Sequence, residues 1–281
     1  MRWRDALDLT RLNRPVGIYL VLWPTLWGLW LAAEGLPPWW VLAVFVLGTV
    51  LMRSAGCVIN DYADRHFDGH VARTCQRPLA TGRVTEPQAL GLFALLGVLA
   101  FALVLTLNPL TIALSLVALG LAALYPFMKR HTYWPQVFLG AAFAWAIPMG
   151  FAAVQGQVPE QAWLLYATTL VWALIYDTAY AISDKPDDLK LGIKSTAILF
   201  GEAVRPIVFG FQLLMLVGLV AVGWVFALGW AYGLAVVLAA GLMAYHQRLL
   251  ARNTAEDAFQ AFLHNHWIGL VVWLGLVIEY A

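Results

Sequence analysis

Long apolar stretches follow one another along the whole chain, separated by short polar segments. Nine of them are long enough to cross a bilayer as helices, since about 20 apolar residues span its hydrocarbon core. They lie at residues 15–34, 39–59, 88–107, 109–127, 133–154, 162–182, 203–226, 230–248 and 263–280. This pattern predicts an all-α membrane protein: one domain, residues 1–281, built as a bundle of nine transmembrane helices.

The positive charges indicate how this bundle is oriented. If the N-terminus is cytoplasmic, the inner segments are residues 1–14, 60–87, 128–132, 183–202 and 249–262. These segments and the adjoining helix ends contain all 17 Lys and Arg residues, and the outer connections contain none. Cytoplasmic loops of membrane proteins are enriched in positive charge. We therefore expect a multi-pass protein of the cell inner (cytoplasmic) membrane with its N-terminus inside.

Composition narrows the class of protein further. The chain is 62% hydrophobic and 12% charged, which excludes an ordinary soluble domain. A net charge of +1 gives no reason to expect a nucleic-acid partner. Cys57 and Cys75 lack the spacing of a metal site. Residues 1–14 combine arginines with Trp3 and leucines, a pattern typical of a short amphipathic helix at the membrane surface.

Acidic residues cluster where the second apolar stretch ends. The segment reads Asn60-Asp61-Tyr62-Ala63-Asp64-Arg65-His66-Phe67-Asp68. A helix turns about 100° per residue, so the amide and the three carboxylates of this segment lie within an arc of roughly 100° on one helix face. These residues are Asn60, Asp61, Asp64 and Asp68. Like charges so close together need cations to neutralise them. Mg²⁺ prefers oxygen ligands and often combines one or two carboxylates with substrate phosphates. The segment therefore predicts a magnesium site for a phosphorylated substrate.

The sixth apolar stretch ends in a second acidic group, Asp184, Asp187 and Asp188. Pro186 stands among them and predicts a helix break or a new helix start. Lys194 follows in a segment whose donors suit a diphosphate. Asp177 differs because it lies within the stretch, where a charged side chain costs about 2.5–3.5 kcal/mol on insertion scales. We expect a functional role for it.

Arg53 also lies within an apolar stretch, seven residues before Asn60 and on the same helix face. Since Asp177 precedes Asp184 by the same interval, both side chains are expected at a similar depth. Two interpretations remain open. Arg53 and Asp177 form a buried salt bridge, or they line the floor of a pocket in which Arg53 receives an anionic group of the substrate.

Basic residues near the acidic groups are candidates for binding a diphosphate. Tyr125 and Lys129 lie one turn apart at the end of the fourth stretch. Arg130 is next to Lys129, two arginines lie in the loop after residue 68, and a lysine follows the second acidic group. The candidates are therefore Tyr125, Lys129, Arg130, Arg73, Arg77 and Lys194. The alternative is that they are ordinary interfacial residues placed by membrane topology.

Together these motifs resemble the UbiA-type intramembrane aromatic prenyltransferases. The resemblance is carried by an Asn-Asp-x-x-Asp-x-x-x-Asp motif from Asn60, an Asp-x-x-x-Asp motif from Asp184, and a Tyr-x-x-x-Lys motif from Tyr125. Longer strings are similar to the 4-hydroxybenzoate polyprenyltransferase branch, namely residues 13–15, 56–64, 77–79, 176–178 and 192–196. Pro186 is a departure, because that branch often has an acidic residue there.

The resemblance implies a chemistry and a set of roles. Mg²⁺ at the two acidic sites binds a polyprenyl diphosphate, and the polyprenyl group passes to the ring carbon ortho to the hydroxyl of 4-hydroxybenzoate, in ubiquinone biosynthesis. The reaction takes place in the lipid bilayer, with the active site on the cytoplasmic side. Asp64, Asp184 and Asp177 are the implied catalytic residues, and Arg53 and Arg14 are implied to bind the acceptor. The length of the prenyl chain is not legible in the sequence.

Two other classes of protein fit part of the pattern. Residues 68–73 followed by Gly82 match the start of the CDP-alcohol phosphotransferase signature, but Arg65, Glu86 and Leu90 stand where it has aspartates. A cation-coupled transporter also carries intramembrane charges, yet such proteins place them at mid-depth on broken helices with internal repeats. Product formation from a polyprenyl diphosphate, with and without Mg²⁺, distinguishes these classes from a prenyltransferase.

Overall fold

The computed structural model describes residues 1–66, 69 and 74–281. Within these residues the chain is helical and contains no strand, which confirms the all-α prediction. The helices are α1 (Trp3–Thr10), α2 (Val16–Ala33), α3 (Trp39–Asp64), α4 (Glu86–Val104), α5 (Pro109–His131), α6 (Pro135–Ala144), α7 (Ala146–Gln155), α8 (Glu160–Leu191), α9 (Thr196–Phe200), α10 (Val204–Val225), α11 (Trp230–Leu250) and α12 (Ala255–Glu279).

Eight helical segments of the described residues are long and apolar enough to cross a membrane. They are α2, α3, α4, α5, the α6–α7 pair, α9–α10, α11 and α12. Each overlaps one predicted stretch, and α9–α10 and α12 begin seven and eight residues before theirs. The predicted span 162–182 forms part of α8, which is not among the eight, so the count of nine is not confirmed. Helix α8 packs against α6, α10 and α12 and buries Thr168 and Thr169. A helix surrounded by other helices needs less apolar surface than one that faces lipid.

Helix α8 carries the second acidic group and is unusually long. Its 32 residues extend about 48 Å at 1.5 Å per residue, well beyond the roughly 30 Å hydrocarbon core. The helix continues through Pro186, so the break predicted there is wrong. Only the hydrogen bond to the carbonyl four residues earlier is lost. Because the helix is continuous, Asp177, Asp184 and Asp188 share one face, within about 40° of arc.

A proline does interrupt the fifth predicted stretch. Pro148 has no N–H to donate to the carbonyl of Ala144, and α6 ends at that residue while α7 begins at Ala146. The two halves then pack differently: α6 lies against α5 and α8, and α7 lies against α2 and α5. This break lets one membrane crossing connect the two acidic helices with α2.

The helices are packed closely on one side of the bundle and loosely on the other. On the close side α12 packs against α2 and α8, and a Cβ added to Gly269 would lie 2.4 Å from the Trp23 ring. Trp27 and Trp172 stack there with ring centroids 5.1 Å apart. On the loose side α4 packs mainly against α3 and touches α5 over a short stretch. A large cavity lies between these helices.

Candidate active site

The C-terminal parts of α3, α5 and α8 meet around a cavity of about 140 Å³. The polar side chains around it come from segments far apart in the sequence. Those among the sequence-predicted candidates are Asn60, Asp64, Arg77, Tyr125, Lys129, Asp177, Asp184, Asp188 and Lys194. The structure therefore brings the two acidic groups and the Tyr-x-x-x-Lys motif together, as the helical spacing predicts.

Seven of the candidates do not line this cavity. Asp61, Arg53 and Arg14 line a second, adjoining cavity, and the other four lie elsewhere or outside the described part of the chain. Asp187 pairs with Lys190 at 3.1 Å, because it points about 100° away from Asp188 on the continuous helix. Arg130 does not line the cavity; its Nη2 donates to the carbonyl of Ala63 at 2.8 Å and so holds the end of α3. Asp68 and Arg73 lie outside the described residues.

Basic side chains neutralise the carboxylates of α3. The fully buried Asp61 accepts a hydrogen bond on Oδ1 from Arg11 Nη2 at 2.6 Å, and Arg77 Nη1 lies 3.1 Å from the same oxygen. Lys129 Nζ, from α5, donates to Asp64 Oδ2. Charge-assisted bonds of this kind are about twice as strong as neutral ones. These cations thus come from α1, from the segment before α4 and from α5.

Each of these carboxylates retains an unused oxygen. Asp61 Oδ2 and Asp64 Oδ1 are buried and have no hydrogen-bond partner among the described residues. Buried polar atoms are nearly always satisfied, so unpaired carboxylate oxygens indicate a missing cation or donor. No three His, Cys, Asp or Glu side chains of the described residues are close enough to enclose a metal ion by themselves. This donor set fits Mg²⁺, which shares its coordination with water and substrate phosphates, and does not fit a closed structural metal site.

The segment between α8 and α9 forms another wall of the cavity. Its backbone is held by Lys194 N–H, which donates to the Lys129 carbonyl at 2.9 Å, and by Thr196 N–H, which donates to Gln136 Oε1 at 3.2 Å. Ser195 lies between them, is buried, and its hydroxyl has no partner among the described residues. The hydroxyl is thus positioned where a phosphate oxygen of a ligand could accept from it.

Three further polar residues line the cavity that are not among the predicted candidates: Thr74, Gln136 and Tyr180. Ser195 belongs to the segment around Lys194 whose donors the sequence predicts to suit a diphosphate. Tyr180 follows Asp177 by three residues and precedes Asp184 by four, so helical spacing alone places it on the acidic face. The sequence carries no comparable signal for Gln136 or Thr74, because packing of other segments brings them to the cavity.

A second cavity, of about 820 Å³, adjoins the first and shares Asn60, Arg77, Tyr125, Asp177 and Tyr180 with its lining. Its walls are mostly apolar and come chiefly from α2 to α7, with further residues from α1, α8 and α12. Four large apolar side chains at its edge are each at least 45% exposed: Val98 and Phe101 on α4, and Leu116 and Leu119 on α5. The cavity therefore opens between α4 and α5, at a surface that faces lipid in a membrane-spanning bundle.

Arg53 and Arg14 both line the large cavity, and Arg14 is exposed at its border. The Arg53 guanidinium donates from Nε to the Gly17 carbonyl at 3.2 Å and from Nη1 to Cys57 Sγ at 2.8 Å. It lies 5.7 Å from the centroid of the Phe143 ring. No Arg53–Asp177 ion pair occurs among the described residues, so the salt-bridge interpretation is wrong for this structure.

The fold defines a multi-pass membrane protein in which helices α3 and α8 bring two acidic groups to one polar cavity. The model of the UbiA prenyltransferase family matches residues 21–269. The chain belongs to the UbiA prenyltransferase family.

Curated relatives match over nearly their whole length. A protein of Hydrogenovibrio crunogenus named 4-hydroxybenzoate octaprenyltransferase is 65% identical over 273 residues, which are 97% of this chain and 96% of that protein. A protein of Alkalilimnicola ehrlichii with the same name is 60% identical over 277 residues, covering 99% of this chain and 94% of that protein.

Solved structures of more distant proteins share the fold. The apo structure of a UbiA homolog from Aeropyrum pernix K1 superposes with a TM-score of 0.85 at 23% identity, covering 94% of this chain and 98% of that one. A UbiA homolog from Archaeoglobus fulgidus bound to GPP and Mg²⁺ gives a TM-score of 0.71 at 17% identity, covering 98% and 99%.

Proposed function

We propose that this chain transfers a polyprenyl group from polyprenyl diphosphate to 4-hydroxybenzoate, at the ring carbon ortho to the hydroxyl, as a step of ubiquinone biosynthesis. The observation that carries the proposal is the junction of two cavities. A small polar cavity lies between acidic helices and opens into a large apolar one. The two parts match the two parts of a polyprenyl diphosphate. The curated relatives are named 4-hydroxybenzoate octaprenyltransferase, which supports the choice of acceptor.

The polar cavity would hold the diphosphate and its metal ions. Asn60 and Asp64 on α3, facing Asp184 and Asp188 on α8, are the side chains that would bind Mg²⁺. When bound, Mg²⁺ supplies positive charge that neutralises the diphosphate as it leaves. The remaining charge is met by nearby donors of this chain, chiefly Arg77, Lys129, Lys194 and the Ser195 hydroxyl.

The apolar cavity would receive the prenyl chain. Its volume of about 820 Å³ is near the upper end of the range of about 300–1,000 Å³ for small-molecule sites. The opening between α4 and α5 lets a chain longer than the cavity continue into lipid. A donor as long as octaprenyl diphosphate can therefore bind with only its first isoprene units enclosed.

The reaction itself would take place where the two cavities join. Breakage of the bond between the first prenyl carbon and the diphosphate oxygen would leave an allylic cation, which aromatic rings can stabilise. Tyr125 and Tyr180 line both cavities, and Tyr176 lines the large one. The ring carbon ortho to the acceptor's hydroxyl attacks this cation, and loss of its proton restores the aromatic ring. Asp177 is the one carboxylate of the described residues that lines both cavities, so it is positioned to accept that proton.

Arg53 would bind the carboxylate of the acceptor. Its guanidinium borders the apolar cavity and is paired with no carboxylate of the described residues. Arg14, at the border of the same cavity, would attract the acceptor as it enters. The partition of Lys and Arg residues supports the proposal that this polar end faces the cytoplasm at the inner membrane.

The test is turnover by the purified chain in lipid nanodiscs, supplied with octaprenyl diphosphate and radiolabelled 4-hydroxybenzoate. We expect a product prenylated ortho to the hydroxyl in the presence of Mg²⁺ and none in EDTA. Asp184→Asn should abolish turnover, whereas Glu256→Gln, at an exposed carboxylate on α12 that lines neither cavity, should not. Absence of product from the folded wild-type chain with Mg²⁺ would refute the proposal.

A further inference from the structure

Gly17, near the start of α2, lies directly against the Arg53 guanidinium. A Cβ added at this position would be 2.5 Å from Arg53 Nη2, 2.8 Å from Nε and 2.9 Å from Cζ. All three atoms belong to the end of a flexible side chain, and no backbone atom is among the nearest neighbours. The absence of a side chain at Gly17 therefore leaves the space that the guanidinium occupies.

The hydrogen bonds of Arg53 fix the guanidinium in one orientation. Nε donates to the carbonyl of Gly17, and Nη1 donates to the sulfur of Cys57, one helical turn further along α3. The Phe143 ring lies against the group at 5.7 Å. Nη2 has no acceptor among the described residues, and Arg53, Gly17, Cys57 and Phe143 all line the apolar cavity. Nη2 is thus available to a ligand in that cavity.

We propose that Gly17 and Cys57 are positioning residues that set the orientation of the Arg53 guanidinium and so determine selectivity for a phenol that carries a carboxylate. The inference rests on the proposed function, since it takes 4-hydroxybenzoate as the acceptor. Neither residue has to touch the acceptor. Gly17 provides space and a carbonyl, and Cys57 provides the second acceptor that keeps the planar group from rotating.

The size of the effect follows from the geometry. After Gly17→Ala, Nη2 must retreat by about 1 Å, from 2.5 Å to the 3.4 Å of an ordinary contact with Cβ. Bidentate pairing with a carboxylate depends on the fixed fork of the guanidinium. Loss of one hydrogen bond between charged groups weakens binding by about tenfold to a hundredfold. Since the guanidinium borders a cavity, it can move without disturbing the backbone, and the protein should still fold.

The experiment measures binding of radiolabelled 4-hydroxybenzoate to the purified full chain, together with steady-state kinetics. For Gly17→Ala we expect the Kd and the KM for 4-hydroxybenzoate to rise at least about tenfold, while the KM for the prenyl donor changes less than about twofold. The matched control is Gly210→Ala, another helical glycine, at which an added Cβ meets nothing within 4 Å. It should behave as wild type.

A double-mutant cycle shows whether Gly17 acts through Arg53. In an Arg53→Gln background, Gly17→Ala should have little further effect on the affinity for 4-hydroxybenzoate, because there is no guanidinium left to displace. Losses that multiply in the double variant would overturn the inference. So would an unchanged Kd for 4-hydroxybenzoate in the single Gly17→Ala variant.

Cys57 supplies a second route if Gly17→Ala does not fold. Cys57→Ala removes the acceptor of Nη1 and should weaken binding of 4-hydroxybenzoate, whereas Cys57→Ser retains a hydroxyl acceptor and should recover most of the affinity. Equal affinities in Cys57→Ala and the wild type would count against positioning. If the wild-type chain neither binds nor prenylates 4-hydroxybenzoate, the proposed function fails. If the wild-type chain binds and prenylates 4-hydroxybenzoate, and the Gly17 and Cys57 variants do so equally well, only the positioning role fails and the proposed function stands.

Discussion

Replacement of Lys129 by methionine should strengthen binding of Mg²⁺ and weaken binding of the prenyl donor. Lys129 Nζ donates to Asp64 Oδ2, so a metal ion that uses this carboxylate has to displace the ammonium group first. The same ammonium group lines the polar cavity, where it can donate to the diphosphate. Methionine keeps the length of the side chain and removes its charge. The two ligands are therefore affected in opposite directions.

The structure gives the size of both effects. A hydrogen bond between charged groups contributes about 1.5–3 kcal/mol. The Lys129 side chain is 23% exposed, compared with 7% for Asp64, so solvent screening favours the lower value. About 1.5 kcal/mol corresponds to roughly tenfold in affinity. We expect the midpoint for Mg²⁺ to fall by about that factor and the KM for the prenyl donor to rise by about the same factor.

The assay is thermal denaturation of the detergent-solubilised chain during a Mg²⁺ titration without donor, followed by kinetics with donor. Metal-free Lys129→Met should melt below the wild type, because Asp64 then lacks its one described partner, and added Mg²⁺ should reduce the difference. Lys190→Met is the matched control: Lys190 pairs with Asp187 outside the cavity and is 74% exposed. A midpoint for Mg²⁺ that stays constant or rises in Lys129→Met would refute competition at Asp64.

Three further predictions concern other parts of the site. Arg53→Lys should raise the KM for 4-hydroxybenzoate at least about tenfold and leave the donor's KM unchanged, because lysine lacks the planar fork; equal losses for both substrates would contradict this. Ala118→Trp fills part of the apolar cavity and should therefore impair use of a long donor more than of a short one. Steady-state kinetics should show a kcat/KM reduced about tenfold more for octaprenyl diphosphate than for geranyl diphosphate. Gln136→Leu leaves the first N–H of α9 without its acceptor and should lower stability by about 1–3 kcal/mol, measured as a lower melting temperature with or without Mg²⁺.

Helix positions were predictable because lipid imposes a simple rule on the sequence. Apolar stretches of membrane-spanning length mark the helices, and most helix ends lie within five residues of the predicted ones. The exceptions are α8, which ends nine residues later than predicted, and α12, which begins eight residues earlier. The rule fails where a helix faces other helices. Helix α8 buries threonines and carries Asp177, so its composition says little about whether it crosses the membrane. The two prolines, Pro148 and Pro186, also show that a break depends on context: one ends a helix and the other does not.

Helical spacing predicted that the acidic residues would meet in one site, but it did not predict which basic residues would pair with them. One turn separates Asn60 from Asp64 and Asp184 from Asp188, and this spacing brings both pairs to the same cavity. Spacing cannot tell which cation meets which carboxylate. Arg11 reaches Asp61 across 50 positions of the chain. Arg53 donates to the Gly17 carbonyl on α2 and forms no ion pair with Asp177 among the described residues, a choice of partner that helical spacing does not reveal.

Because the large cavity opens to lipid between α4 and α5, the donor concentration that matters for this protein is the concentration in the membrane. A donor that enters from lipid, and a product that returns to it, are solutes of a two-dimensional solvent. Saturation then depends on the mole fraction of donor in the bilayer rather than on its amount per volume of buffer. Adding inert lipid to the vesicles at constant total donor should slow turnover. Diluting the suspension with buffer should leave the rate per protein unchanged, provided that the acceptor and Mg²⁺ concentrations are held constant.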